Sequence, residues 1–275
     1  MNPHAAQPVS VFALMQSLKQ HRQLIVQMIK REIIGRYKGS LLGLAWSFFN
    51  PVLMLVVYTF FFSVVFKSRW EGIDDSKVSF AVLLFVGMIV HGLFAEVVNR
   101  APSIILSNVS YVKKVVFPLE ILSWISVGSA LFHSVIGLVV LLMVQLVISQ
   151  NLPWTVIFFP LILCPLVLVA LGFSWFLASL GVYARDVGQV TGLFTTVLMF
   201  LSPVFYPVST LQPQYQIFLQ LNPLTFIIEE GRKSLIFGVT PDWLGWCVAM
   251  VIGFVTMWLG FWWFQKTRKG FADVL

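Results

Sequence analysis

Arg31-Glu32-Ile33-Ile34-Gly35-Arg36-Tyr37-Lys38-Gly39-Ser40 runs straight into Leu41-Leu42-Gly43-Leu44-Ala45-Trp46-Ser47-Phe48-Phe49-Asn50-Pro51, and the chain then stays apolar to Phe66. A cationic foot thus meets 26 residues, Leu41 to Phe66, that carry no charge. A helix needs roughly 20 apolar residues to cross a bilayer. Lys and Arg just outside a span favour the cytoplasmic side, and the ring of Trp46 suits the headgroup level. The stretch predicts a first membrane helix that starts inside the cell, and later spans are counted from it.

Composition agrees. The chain has 275 residues, 59% of them hydrophobic and only 11% charged, with a mean hydropathy of +0.90. A soluble domain carries about 25% charge, so the composition leaves no room for a soluble domain of ordinary size. About 40 mixed residues precede the first long apolar run, unlike the short charged and apolar regions of a signal peptide. Cys164 and Cys247 both fall inside expected spans, which argues against a structural disulfide.

Upstream of the first span, residues 1–9 read as a loose tail. From Val11 to Ile34, Leu14, Leu18, Ile25, Met28, Ile29 and Ile33 recur at near-helical spacing, with Lys19, His21, Arg22, Lys30 and Arg31 on other faces. This predicts an amphipathic helix. Two placements stand: on the inner membrane surface, or against a partner protein. Gly39-x-x-x-Gly43 matches a close-packing pattern for membrane helices, and Pro51 marks either a kink or a helix start.

Downstream, spans are expected at about 40–66, 80–98, 119–149, 154–182, 187–205 and 243–264. Glu96 and Arg100 share one helix face at the inner end of span 2. Residues 101–118, bounded by Pro102 and Pro118, read as a short cytoplasmic helix. Residues 206–242 differ. Their apolar runs are too short to cross, and Pro207, Pro213, Pro223, Gly231 and Pro241 interrupt them. Two re-entrant helices dipping from the outer face are predicted, with Asn222 capping the second and Glu229, Glu230, Arg232 and Lys233 in water at its outer end. A surface-lying external loop is the alternative. Six spans place both termini inside. Thirteen Lys and Arg then lie inside, and five (Lys67, Arg69, Lys77, Arg232, Lys233) outside, which is the expected bias.

The chemistry is mostly one of absences. No Gly-x-x-x-x-Gly-Lys-Ser/Thr loop exists to cradle nucleotide phosphates, and no His/Cys metal spacing is present. No midspan carboxylate suits an ion-coupled pump. His91 and His133 read as interhelical hydrogen-bonding groups. The basic excess reads as membrane anchoring, with no nucleic-acid partner. The 26 Phe, 10 Trp and 6 Tyr are mostly lipid-facing or core. Trp46, Tyr58 and Phe205 are candidates for an aromatic path on which sugar faces would stack.

The motif Arg31-Glu32…Arg36-Tyr37-Lys38-Gly39-Ser40-x-x-Gly43-x-x-Trp46-x-x-x-x-Pro51 resembles the opening of type-2 ABC exporter permeases for polysaccharides and polyol phosphates, the membrane subunits of O-antigen and teichoic acid exporters. Tyr111-Val112-Lys113-Lys114-Val115-Val116-Phe117-Pro118-Leu119-Glu120, Arg185-Asp186-Val187 and Ser202-Pro203-x-Phe205-Tyr206-Pro207, followed by Asn222-Pro223-Leu224-Thr225 and Arg232, agree in order and spacing. Glu32 stands where the family pattern has Asp, and the charge is kept.

The resemblance implies an all-α polytopic fold in one transmembrane domain, 1–275. An N-terminal tail and amphipathic interface helix (1–38) would precede spans 1–5 (40–205). Re-entrant gate helices (206–242) and span 6 with a basic cytoplasmic tail (243–275) would follow. It implies a homodimer in the bacterial inner membrane with both termini cytoplasmic, two copies of a separate ATP-binding subunit, and no cofactor in this chain. The substrate would be a lipid-linked glycan, typically on undecaprenyl pyrophosphate. In that frame Arg31, Arg36 and Lys38 are expected to contact the carrier headgroup. Asn108, Tyr111, Lys113 and Lys114 would couple to the ATPase, and Tyr206, Pro207, Asn222 and Pro223 would form an outer gate. O-antigen is the expected cargo. Teichoic acid, capsule or a small amphiphile are alternatives on the same fold. A membrane-embedded polyprenyl-dependent transferase is the alternative of another class, though the acidic or His cluster it would need is not apparent.

Overall fold

A computed structural model describes residues 10–61, 77–113 and 117–275. It is helical throughout the described residues, and no strand occurs among them. Helix α1 spans Val11–Tyr37, capped by the Ser10 hydroxyl, which accepts from the Ala13 amide at 3.2 Å. A 3-10 turn, Gly43–Ala45, leads into α2, Trp46–Tyr58. Then follow α3 (Lys77–Arg100), α4 (Val109–Lys113), α5 (Ile121–Ser149), α6 (Phe159–Tyr183) and α7 (Val187–Phe200). Short helices α8 (Pro213–Gln220) and α9 (Pro223–Arg232) precede the long α10 (Trp243–Thr267) and terminal α11 (Phe271–Val274).

Among the described residues, five segments are long and apolar enough to cross a membrane: Gly43–Phe61, Phe80–Ser103, Ile121–Ser149, Trp154–Tyr183 and Trp243–Val274. The expected fifth span is shorter than its apolar sequence, because α7 ends at Phe200 and a turn over Leu201–Tyr206 takes its place. The end of the first span beyond Phe61 lies outside the described residues.

α3 is the centre of the bundle. Ala81, Leu83, Leu84, Val86, Val90, Val97 and Val98 have no measurable exposure, and α5, α6, α7 and α9 all pack on it. α2, by contrast, leaves Phe49, Leu53, Met54, Val56 and Val57 exposed, as are Phe60 and Phe61 just beyond it. Such a face suits lipid or another protein surface and is normal for a membrane helix, since lipid is as apolar as the side chains.

The expectation about glycine is corrected, and of the two readings of Pro51 the helix start is removed. Gly39 and Gly43 both have positive φ, 88° and 51°, and a Cβ at either would meet nothing. They turn the chain between α1 and α2 and do not mediate helix contact. The close contact is between α6 and α10, where a Cβ on Gly260 would come within 2.1 Å of the Gly172 carbonyl oxygen, and one on Gly172 within 2.4 Å of that of Thr256. Pro51 lies inside α2, which begins at Trp46.

α1 lies against its own bundle. Leu14, Ile25 and Ile33 are buried, and the helix packs on α5, where Gly128 leaves room for Ile29. Neither the membrane surface nor a separate partner is needed to cover that stripe.

Candidate functional site

Two groups of charged residues stand out in a chain otherwise poor in charge. The first joins the C-terminal turns of α1 and α3 to α5. Arg36 and Glu96 form an ion pair, Nη2 to Oε1, at 2.7 Å. Arg100 pairs with Glu32. Glu96 and Arg100 share a face as expected, yet each is paired with α1. Both helices carry Glu-x-x-x-Arg, and laid antiparallel each Glu meets the other helix's Arg. That repeated spacing was the signal in the sequence.

His133 on α5 completes the corner. Its Nδ1 lies 2.9 and 3.1 Å from the two Glu96 carboxylate oxygens, so that nitrogen donates. Nε2 then accepts from the Tyr37 hydroxyl at 3.1 Å. Burial raises the Tyr37 phenol above its usual range, which keeps it a donor. Arg31 and Lys38, close to this corner in sequence, are exposed, and neither has an ion pair among the described residues. Of the three expected headgroup cations, only Arg36 is built into a cluster.

The second group lies at the other end of the bundle, around α9. Asn222 caps α9, its Oδ1 accepting from the Leu224 amide at 3.0 Å. Its Nδ2 donates to the Ser202 hydroxyl at 2.8 Å. At the far end of α9, Arg232 is 1% exposed. Its Nε donates to the Leu83 carbonyl at 3.1 Å, Nη2 to the Val204 carbonyl at 2.9 Å, and Nη1 to Glu229 at 2.9 Å. Glu230, 2% exposed, pairs with Lys233 at 2.7 Å and accepts the Asp242 amide at 2.9 Å. This corrects the expectation that water solvates all four charges: Glu229 and Lys233 keep 33% and 47% of their side-chain surface exposed, while Glu230 and Arg232 do not. Arg232 and Glu230 point into the bundle, where carbonyls, a backbone amide and an ion pair replace water. Small neighbours make the room. A Cβ on Gly87 would stand 3.1 Å from the Val204 Cα, and one on Gly231 would stand 3.2 Å from Phe159 and Val86.

The turn Leu201–Val204 is therefore clasped from both ends of α9, by Asn222 and by Arg232. α9 is core: Leu224, Ile227 and Ile228 are buried. α8 is not: Ile217 and Phe218 are 63% and 70% exposed, and Leu221 just after it is 78% exposed. Tyr206 donates to the Phe200 carbonyl at 3.0 Å. Pro207 starts a 3-10 turn and Pro223 opens α9.

The segment expected to couple to an ATPase holds α4 and the 3-10 turn Leu106–Asn108. Asn108 bonds back to the Ile104 carbonyl at 2.8 Å. Tyr111 stacks on Phe117, centroids 4.4 Å apart and planes 11° off parallel. Lys113 donates to the backbone oxygen of Leu275. Lys114 lies outside the described residues. The sequence reading missed the elbow that follows. Arg268 donates to Glu120 at 2.9 Å and to the Phe117 carbonyl at 3.0 Å. Ser17 of α1 donates to the same carboxylate at 2.9 Å, and Trp175 of α6 to the Glu120 carbonyl at 3.0 Å. Four helices thus meet at residues 117–120.

His91 donates to the Thr195 carbonyl at 3.0 Å, stitching α3 to α7 as expected of an interhelical group. Of the aromatic candidates, Trp46 is at the exposed start of α2, and Tyr58 is about 18 Å further along the same helix. Phe205 packs beside Phe200 at 5.6 Å. No group of three or more His, Cys, Asp or Glu able to hold a metal occurs among the described residues.

A polytopic bundle with an amphipathic α1, an elbow at one end and a broken-helix segment at the other agrees with what the sequence resembles, and residues 23–236 match the profile of the ABC-2 type transporter family. The chain belongs to that family. Among known ABC-2 proteins it is similar to the O-antigen export system permease protein RfbA of Myxococcus xanthus, 28% identical over 262 residues, covering 94% of this chain and 98% of that one. It is also similar to the permease of the same name from Klebsiella pneumoniae, 24% identical over 92% of this chain and 95% of that one. The polysialic acid transport protein KpsM of Escherichia coli is 23% identical over 84% and 88%.

Proposed function

We propose that this chain is the membrane-spanning permease subunit of an ATP-driven exporter that moves a lipid-linked polysaccharide, of the O-antigen kind, across the inner membrane. The observation that carries the reading is the match to O-antigen export permeases along nearly the full length of both chains. The lack of a phosphate-cradling loop supports leaving ATP hydrolysis to a separate ABC subunit, present in two copies. The chain itself takes no cofactor. Two copies of it enclose the path, and the glycan rides on a polyprenyl diphosphate such as undecaprenyl pyrophosphate. The α1 end faces the cytoplasm with both termini and α7 completes a set of six spans. Setting aside the buried Arg232, four basic residues remain outside against thirteen inside, in line with that orientation.

In this reading Arg36, with Arg31 and Lys38 beside it, meets the carrier diphosphate at the inner leaflet. Arginine suits the task because its planar fork binds phosphate oxygens in pairs. The region 107–117 docks on the ATPase and passes movement through Tyr111 and Phe117 to the elbow at Glu120. Tyr206, Pro207, Asn222 and Pro223 frame the outer gate. A capsular glycan is the second reading, favoured by the likeness to a polysialic acid transport protein.

Deleting the gene tests the function. Surface polysaccharide should be lost while lipid-linked glycan accumulates, and re-expressing this chain should reverse both. An unchanged cell surface overturns the reading, and the chemistry of the missing glycan decides between O-antigen and capsule. For the coupling segment, Tyr111→Asp with Val112→Asp should leave insertion intact and abolish stimulated ATP hydrolysis by the complex. Wild-type hydrolysis would remove this segment from the joint.

A further inference from the structure

Arg36 is not waiting for a ligand with its fork open. Glu96 already holds it at 2.7 Å, and the same carboxylate takes the His133 N–H, whose ring is held in turn by Tyr37. The Arg36 and Glu96 side chains are 38% and 21% exposed, so the pair is reachable from outside. Its depth is unusual for charge. α5 has 29 residues, or about 43 Å at 1.5 Å each, against roughly 30 Å of hydrocarbon. Measured back from Ser149, the hydrocarbon ends near residue 129, about 6 Å past His133, which places His133 just inside the boundary. A carboxylate and a guanidinium kept at the membrane boundary mark a functional site.

We propose that Glu96 is the specificity-determining residue of the headgroup site, an internal stand-in for the anion that Arg36 is built to bind; this rests on the carrier reading above. Glu96 offers Arg36 one negative charge and two oxygens. A phosphodiester lipid headgroup also offers one negative charge and does not displace a carboxylate already in place, tethered and supported by His133. A diphosphate carries charge on both phosphorus atoms. At equal distance and dielectric its attraction to the guanidinium is about twice as large. Glu96 therefore keeps abundant anionic lipids off Arg36 and yields to the diphosphate. Glu32, paired with Arg100 one turn away, is already satisfied and cannot replace it.

The test uses the full chain in nanodiscs with geranylgeranyl diphosphate as probe. One set of discs is phosphatidylcholine alone; another contains added phosphatidylglycerol. Wild type should bind the probe with little change on adding phosphatidylglycerol. Glu96→Gln should bind it about tenfold more tightly in phosphatidylcholine, the scale of one charge-assisted hydrogen bond, and lose that gain as phosphatidylglycerol rises. Arg36→Ala should bind weakly in both. If Arg36→Ala binds like wild type, the carrier reading itself falls. If Arg36→Ala is weak while Glu96→Gln matches wild type in both discs, Glu96 is only a structural partner and the inference is overturned. Should Glu96→Gln fail to insert, Glu96→Asp decides. Drawn back by one carbon, its carboxylate should leave probe binding sensitive to phosphatidylglycerol, and wild-type insensitivity would overturn the proposal.

Discussion

Arg232 and Arg36 are both paired arginines in a bundle with few charges, yet their surroundings are opposite. Arg232 is sealed inside, and two of its three named acceptors are backbone carbonyls, on α3 and on the turn after α7. Arg36 is more than a third exposed and is held by a side-chain carboxylate. A carbonyl is fixed by the fold and cannot leave without deforming it. A carboxylate on a rotatable stem can be exchanged for another anion. The first arrangement makes a clasp, and the second is the one we propose as a site. Burial alone separates the roles of two residues that look alike in sequence.

The comparison can be broken most forcefully at Arg232. Arg232→Gln strips the charge from Glu229 and leaves the Leu83 and Val204 carbonyls short of donors. Breaking a buried charged network costs about 3–5 kcal/mol. The purified chain should lose monodispersity and unfold at clearly lower temperature in a detergent thermal-shift assay. Arg232→Lys should not rescue it, because one ammonium cannot reach three acceptors on separate elements. A variant as stable as wild type would show that the clasp is dispensable.

A smaller effect separates α8 from α9. In a background with Cys164 and Cys247 replaced by Ala, Phe218→Cys should react readily with an impermeant thiol reagent added from outside, and Ile228→Cys should not. Nucleotide bound by the ATPase should change the α8 signal and leave α9 unlabelled, because α9 is clasped to the turn Leu201–Val204. Labelling at both positions would mean the clasp opens during transport.

The smallest expected change is in the stability of Arg36→Ala. Ion pairs this exposed are worth about 0–1 kcal/mol, so its unfolding temperature should stay near that of wild type even where headgroup binding falls. A loss comparable to Arg232→Gln would reclassify Arg36 as structural.

Much of this was legible before any tertiary contact was known. Runs of 20 or more apolar residues name membrane helices with little ambiguity, because the bilayer sets a minimum length. Asn222 before Pro223 announced the start of α9, since Asn at that place satisfies an otherwise free amide. The same logic failed at Glu230 and Arg232. Charged residues after a broken helix read as solvent-facing on composition, and only Gly87, Gly231 and the turn at Val204 make a cavity for them. Gly39-x-x-x-Gly43 misled for a related reason. The spacing permits helix contact, but both glycines take positive φ in a turn.

By itself, then, the sequence determined the class of molecule: helical, polytopic, basic at one end, without a phosphate-cradling Gly-x-x-x-x-Gly-Lys-Ser/Thr loop and with a broken segment before its last span. Those properties follow from local composition and from the thickness of a bilayer. Which charge meets which partner was decided only by the tertiary structure. Glu32 with Arg100, Arg36 with Glu96, Glu120 with Arg268, and Arg232 with the carbonyls of Leu83 and Val204 join residues 28 to 149 positions apart. Ion pairing acts across a few ångströms of space, and no periodicity along the chain records which segments the fold will bring that close.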